Sequence, residues 1–394
     1  MQLDNRWAIL ALLFSVRLSM AFQFQSVAAI SPVVMNEFGV DLAEIGLLIS
    51  LYLAPGLVIA LPGGEIGRRY GDKSAVLFGL ALMVGGGLMM VFASTWPWQL
   101  AGRLVAGVGG VLLNVLMSKM ITDWFVGKEI ATAMAIFVNS WPVGIALALI
   151  TLPLLASTGG STGVNLATSI FAALGLLLVA IFYKAPSGRP ETTRAAIWPT
   201  GMALRAIVAA GCIWGFYNAA LGMVFGFGTA MLTEGGWNLT AAGSSISLVL
   251  WLVGLSVPLG GIVADRTGRH TTVMLGGFAL FAATLVIAAR TEFVLLSFVA
   301  LGLASGISAG PIMSLPARVL SPEERAAGMG IFFSIFYAMV VAGPIAAGKV
   351  ASMAGTSRIT FDVGAAMLAG CFVFYWVFKR VSARQIAVRL ATPS

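Results

Sequence analysis

The chain has 394 residues, 59% of them hydrophobic and 10% charged, with a formal net charge of +8. A typical soluble domain carries about 25% charged residues, so this chain lacks the polar surface to cover a water-facing core of its length. Its apolar runs reach about 20 residues rather than alternating in short segments, which excludes an outer-membrane β-barrel and leaves helices that satisfy their own backbone in lipid.

The first apolar run, from about Trp7 to Val34, outlasts the roughly 7–15-residue core of a secretory signal and reads as an uncleaved first span. Eleven more follow, giving expected spans near 8–35, 43–66, 74–94, 97–122, 130–155, 165–183, 204–232, 240–263, 271–290, 292–317, 326–351 and 360–379. The longest loop, Lys184 to Arg205, carries four basic residues and three prolines and divides the chain. The expected organisation is an all-α membrane protein of two six-helix bundles. The first covers residues 1–185 and the second 204–380, with a connector at 186–203 and a tail at 381–394. With the N-terminus inside, eighteen Lys and Arg fall on the inner side and three, Arg290, Lys349 and Arg358, on the outer. That bias predicts cytoplasmic termini in a cell (inner) membrane. The same placement argues against nucleic-acid binding. Cys212 and Cys371 lie inside apolar runs and read as small buried hydrophobes.

The halves repeat. At an offset of 197, Leu42, Gly46, Ile49 and Ser50 meet Leu239, Gly243, Ile246 and Ser247, and Gly63, Gly64, Arg69 and Gly71 meet Gly260, Gly261, Arg266 and Gly268. At 195, Glu129, Ala131, Met134 and Phe137 meet Glu324, Ala326, Met329 and Phe332. Parallel repeats imply a pseudo-twofold axis along the membrane normal with a site between the halves. The stretch Gly261-Ile-Val-Ala-Asp265-Arg266-Thr-Gly268-Arg269-His270 resembles the loop signature of the major facilitator superfamily. In the first-half copy, Gly64-Glu-Ile-Gly-Arg68-Arg69-Tyr-Gly71-Asp72-Lys73, the acid and one arginine exchange places, so its ion pairing is altered or reversed. Arg103-Leu-Val-Ala-Gly107 and Gly343-Pro344 resemble further motifs of that family. The resemblance implies two six-helix bundles, with spans 1, 4, 7 and 10 central and gating loops at Arg68, Arg69, Asp72, Asp265, Arg266 and Arg269. In broad pattern the chain is similar to transporters of cyanate, nitroimidazole-type compounds or nitrate. It lacks the Gly-rich span 5 signature of nitrate carriers, reading Asn139-Ser-Trp-Pro142-Val-Gly144 there.

Arg17 lies about ten residues, roughly 15 Å, into span 1, where an arginine costs about 2.5–3.5 kcal/mol and no Asp or Glu shares its depth. Its fork of donors suits a carboxylate or planar oxyanion; the competing reading is that it snorkels or caps carbonyls. Gln25, Asn114, Tyr217 and Asn218 are the expected partners in a substrate pocket, with Trp214, Asn139 and Trp141 as further candidates. Arg103, in the outer third of span 4, serves either coupling or structure. No Walker motif, catalytic constellation or metal-ligand cluster accompanies them, so the expectation is a non-enzymatic transporter without cofactor or metal. It would be a monomer in the lipid bilayer, moving a small solute, an anion in the leading reading. A drug or neutral-solute exporter and a non-transporting sensor are the alternatives.

Overall fold

The computed structural model describes residues 5–59, 63–125, 133, 136–184, 198–320 and 324–391. Every regular element among them is helical, and eleven helical segments are long and apolar enough to cross a membrane. One of these, residues 136–182, has 47 residues and would extend about 70 Å at 1.5 Å per residue, more than twice a hydrocarbon core of about 30 Å. Gly160 breaks it with a φ of 58° and ψ of −156°, a conformation open to glycine and closed to most side chains. The segment is therefore two spans, and the expected twelve are present.

In chain order the helices are α1 (Arg6–Ala29), α2 (Ser31–Phe38), α3 (Leu42–Leu51), α4 (Gly56–Ile59), α5 (Gly63–Tyr70), α6 (Asp72–Val91), α7 (Trp96–Phe125) and α8 (Ser140–Phe182). The second half holds α9 (Gly201–Glu234), α10 (Leu239–Thr267), α11 (His270–Ala288), α12 (Val294–Ser305), α13 (Ala309–Met313), α14 (Arg325–Ala354) and α15 (Ile359–Ala391). Four expectations differ from this, the first being that the second span, expected unbroken at 43–66, is interrupted at 52–55 between α3 and α4. Where a loop was expected at 156–164, the chain turns at Gly160 alone. The tenth span is split into α12 and α13 around Gly306. The final helix runs on to Ala391, through most of the expected tail.

The repeat extends to the caps. Asp41 accepts from the Glu44 amide at 2.9 Å to start α3, and Asn238, 197 residues on, accepts from the Ala241 amide at 2.8 Å to start α10. The Glu37 carboxylate accepts the Ser161 amide, the first after the Gly160 break, at 3.0 Å. Its counterpart Glu234 accepts the Ser357 amide at 2.9 and 3.0 Å and the Thr356 hydroxyl at 2.9 Å, ahead of α15. Each carboxylate sits where a helix presents unsatisfied amides and the positive end of its dipole.

The halves meet toward the end opposite the N-terminus. Gly46 of α3 lies against the Pro344 carbonyl of α14, and Gly348 lies against the Leu42 carbonyl, so a Cβ at either would collide with backbone. The Ser247 hydroxyl donates to the Ala146 carbonyl at 2.9 Å, joining α10 to α8. Gln25 and Thr229 each donate to a carbonyl across the α1–α9 contact, those of Phe225 and Ala28. At the rim the Ser352 hydroxyl donates to Asp41, and with the Glu44 amide it holds the Asp41 carboxyl below its ordinary pKa. At the other end α5 packs on α6 and α7 of its own half. The described polar ties between the halves thus gather toward the end opposite the N-terminus.

Arg103 fastens the first half. It is fully buried, and its guanidinium donates to the carbonyls of Leu48 (3.1 Å), Gln23 (2.8 Å) and Phe24 while lying 4.6 Å from the Tyr52 ring centroid. Gln23 continues the network, donating to the Met83 carbonyl at 3.0 Å and accepting from the Tyr52 hydroxyl at 3.2 Å. Three spans thus converge on one side chain, and Gln23 adds α6. Arg103→Ala is expected to lower unfolding stability in detergent by about 3 kcal/mol or more, through a large cavity and lost charge-assisted bonds. Glu234→Ala is expected to cost about 1–2 kcal/mol, the scale of a lost helix cap, whereas Glu292→Ala leaves the thermal midpoint in place.

Candidate functional site

Pro142 in the first turn of α8 has no amide to offer the carbonyl of Val138 four residues back. Arg17 of α1 takes that carbonyl instead. Its Nη1 donates to Val138 O at 3.1 Å, to Phe137 O at 3.0 Å and to Ser140 Oγ at 3.1 Å, and its guanidinium carbon lies 4.8 Å from the Phe137 ring centroid. Its Nε donates to Asn114 Oδ1 at 3.0 Å. Asn114 passes the chain on, donating from Nδ2 to the Tyr337 hydroxyl at 3.0 Å. Arg17, Asn114 and Tyr337, from α1, α7 and α14, form a polar line across both halves at mid-depth.

Two donors in this line stay unused. Nη2 of Arg17 has no hydrogen-bond partner among the described residues, and the side chain keeps 8% of its surface exposed. The Tyr337 hydroxyl accepts from Asn114 and donates its own proton to no described residue. No described carboxylate pairs with Arg17. Uncompensated positive charge and open donors in a low-dielectric interior attract an anion. Of the two sequence readings of Arg17, the carbonyl-capping one is seen directly, and Nη2 is left without a partner among the described residues.

The other expected site residues divide. Asn114 joins Arg17 directly. Asn218 is half-buried on α9; its Nδ2 returns to the Trp214 carbonyl at 2.8 Å, and its Oδ1 accepts from no described residue. Gln25 does not reach Arg17. It lies eight residues along α1, about 12 Å further on, and ties α1 to the Phe225 carbonyl at 2.7 Å. Tyr217 turns into the second half, where its hydroxyl donates to the Ser305 carbonyl at 2.6 Å and its ring packs near Phe278 and Phe281. Arg103 is committed to backbone carbonyls, as described above.

Among the loop residues, Asp72 is buried and paired with Lys119 at 2.9 Å, so the acid displaced in the first-half motif still finds a cation on α7. Lys73 beside it donates to the carbonyls of Ala180 and Tyr183 at the end of α8, at 2.9 and 2.8 Å. Arg69, Arg266 and Arg269 are exposed, and Arg69 lies 5.6 Å from the Tyr70 ring centroid. The side chains of Arg68 and Asp265 lie outside the described residues. Tyr337 lies on the eleventh span, outside the expected central set of 1, 4, 7 and 10, and was not among the expected site residues. The pairing of Phe137 with Phe332 in the repeat was the available signal, because it brings the α14 segment around Tyr337 into register with the one around Pro142.

The sequence profile of the Major Facilitator Superfamily matches residues 13–234 and 206–392. A 3-(3-hydroxy-phenyl)propionate transporter of Escherichia coli (strain K12) is 26% identical over 394 residues, covering 94% of each chain. A choline/ethanolamine transporter, FLVCR2 of Rattus norvegicus, is 26% identical over 156 residues, 38% of this chain and 28% of that one. A probable anion transporter 4, chloroplastic, of Arabidopsis thaliana is 28% identical over 152 residues, 37% of this chain and 27% of that one. The matches to these last two thus span less than two thirds of those proteins. Among solved structures, a bacterial homologue of the human lysosomal transporter Spinster, in an inward-facing and occupied conformation, superimposes with a TM-score of 0.80 at 16% identity, covering 97% of this chain and 98% of that one. A point mutant of the nucleoside transporter NupG gives 0.74 at 15% identity, covering 96% and 100%. Those likenesses show the fold, and the profile shows the family. The chain is a multi-pass membrane protein of the Major Facilitator Superfamily, a superfamily of transporters.

Proposed function

We propose that the protein carries a small anionic solute across the cytoplasmic membrane by alternating access between residues 1–185 and 204–380. The observation that carries this reading is Arg17: a guanidinium at mid-depth, with Nη2 unpartnered and no described carboxylate to neutralise it. A substrate carboxylate or comparable oxyanion supplies the missing acceptor. Asn114 and Tyr337 hold Arg17 in place, and the free Tyr337 proton adds a second donor. Asn218, half-buried on α9 with its Oδ1 unpartnered among the described residues, is a further polar candidate. The positive-inside bias supports an orientation with the N-terminus in the cytoplasm, in which the end where the halves are tied would serve as the outer gate.

The relatives support the sign of the charge. The full-length relative is named for a carboxylate, and one partial relative is named an anion transporter. The choline/ethanolamine relative handles cations by its name, but the match covers 38% of this chain. A cation beside an unpaired arginine is electrostatically disfavoured.

Purified protein in liposomes is expected to take up small labelled carboxylates and to ignore their neutral amides. Arg17→Ala is expected to reduce that uptake at least about tenfold, the scale of one lost charge-assisted bond. Arg17→Lys retains the charge but loses the fork that reaches Asn114 and two carbonyls together, so its uptake falls between. Wild-type uptake by Arg17→Ala would sink the anion reading.

A further inference from the structure

We infer that the solute is an aryl carboxylate, its charge on Arg17 and its ring against Trp214. The inference rests on the reading of Arg17 as the anion anchor and adds the shape of the rest of the molecule.

On α9, Trp214, Asn218, Leu221 and Phe225 follow one another at intervals of four, three and four, which sets them on one helical face. All four are half-buried, while Ile213, Tyr217, Ala220 and Val224 between them are buried. Phe225 shows where this face points: its ring centroid lies 6.0 Å from that of Phe24 on α1. The face therefore looks at the first half, meeting it at Phe225, while Trp214 further along keeps part of its surface exposed. The repeat carries Trp214, Asn218, Leu221 and Phe225 back onto Arg17, Ala21, Phe24 and Ala28 of α1. Arg17 and Trp214 are thus pseudo-symmetric partners on facing stripes at similar depth.

The Trp214 ring is held in place before any ligand arrives. It stacks on Tyr217 (5.6 Å, 22°) and Phe332 (6.5 Å, 20°) and is tilted on Phe336 at 6.3 Å. Phe336 in turn meets Tyr337 at 5.1 Å, and the Tyr337 hydroxyl leads through Asn114 to Arg17 by two bonds of 3.0 Å. An aromatic wall and the anion anchor are therefore continuous. The pseudo-equivalent positions pair again with different chemistry: Arg17 lies over Phe137 where Trp214 stacks on Phe332. A small inorganic anion would satisfy Arg17 and leave the half-exposed indole facing water. A solute with a carboxylate at one end and a flat ring at the other satisfies both.

The test uses the full chain in detergent, with binding read by calorimetry for four probes: 3-phenylpropionate, 3-cyclohexylpropionate, nitrate and 3-phenylpropionamide. The expected order places 3-phenylpropionate tightest. Trp214→Leu is expected to weaken it about 3- to 10-fold and to change 3-cyclohexylpropionate less than about twofold. Trp214→Phe should retain most of the wild-type affinity, which also shows that the fold survives substitution there. If both acids bind the wild type equally, or nitrate binds as tightly, while Arg17→Ala abolishes their binding, the ring inference fails and the anion site stands. If the amide binds as tightly as its acid, the anion site itself is lost. Binding by none of the probes overturns both.

Discussion

A guanidinium inside hydrocarbon must find acceptors within reach of its own side chain, because no water supplies them. The chain meets this demand twice and in different ways. Arg103 meets it with backbone: carbonyls of α1 and α3 take its donors, so the cation ties three spans at one crossing, and the Gln23 side chain adds α6. Arg17 meets it in part. Two carbonyls, a serine and an asparagine take Nε and Nη1, and Nη2 is left over. The same residue type is frame in one place and, in the function proposed above, site in the other, and the count of committed donors makes the difference.

The carbonyl that receives Arg17 is available because Pro142 cannot donate to it, so the site begins with a local backbone defect. In a soluble helix such a carbonyl would turn to water. Within a bilayer it needs a donor from the protein, and an arginine from a neighbouring span meets that need while orienting itself. Ser140 and Phe137 then fix the approach, one by a hydroxyl and one by a ring. Proline, arginine and asparagine come from three separate spans, and each is explained by the other two.

Much of this was legible in the sequence, for physical reasons. Span number and order follow from apolar length against bilayer thickness, and the repeat follows from glycines and charges in register. The depth of Arg17 follows from counting at 1.5 Å per residue. The breaks were less legible. Gly160 turns the chain between two spans with no loop, because a single left-handed glycine capped by Glu37 does what a polar linker would otherwise do. Side-chain direction was least legible. Gln25 borders the stripe of Arg17, yet its partner is a carbonyl 200 residues away on α9. Tyr217 stacks on Trp214, one turn before it on the same helix, yet its hydroxyl is taken by the Ser305 carbonyl within the second half. Helical periodicity assigns a residue to a face; which neighbour that face meets is decided by packing between spans.

The interface between the halves has the composition of one that opens. Its described ties at the end opposite the N-terminus are hydroxyl or amide donors on carbonyls, a serine on Asp41, and glycines pressed against backbone. Each hydrogen bond of this kind contributes about 0.5–1.5 kcal/mol net, so a handful sums to an energy that a bound solute can match. The strong interactions lie elsewhere. The Arg103 network and the Asp72–Lys119 pair are confined to the first half, and the Arg290–Asp362 pair at 2.7 Å to the second. Among the described residues, these ion pairs and the buried Arg103 network each lie within one half, an arrangement compatible with rigid-body rocking. At mid-depth the one described polar bridge, Asn114 to Tyr337, runs through the side chain that also orients Arg17. An anion that engages Nη2 therefore acts on a group already coupled to the opposite half, and charge recognition and the relation between the halves are joined through a single asparagine.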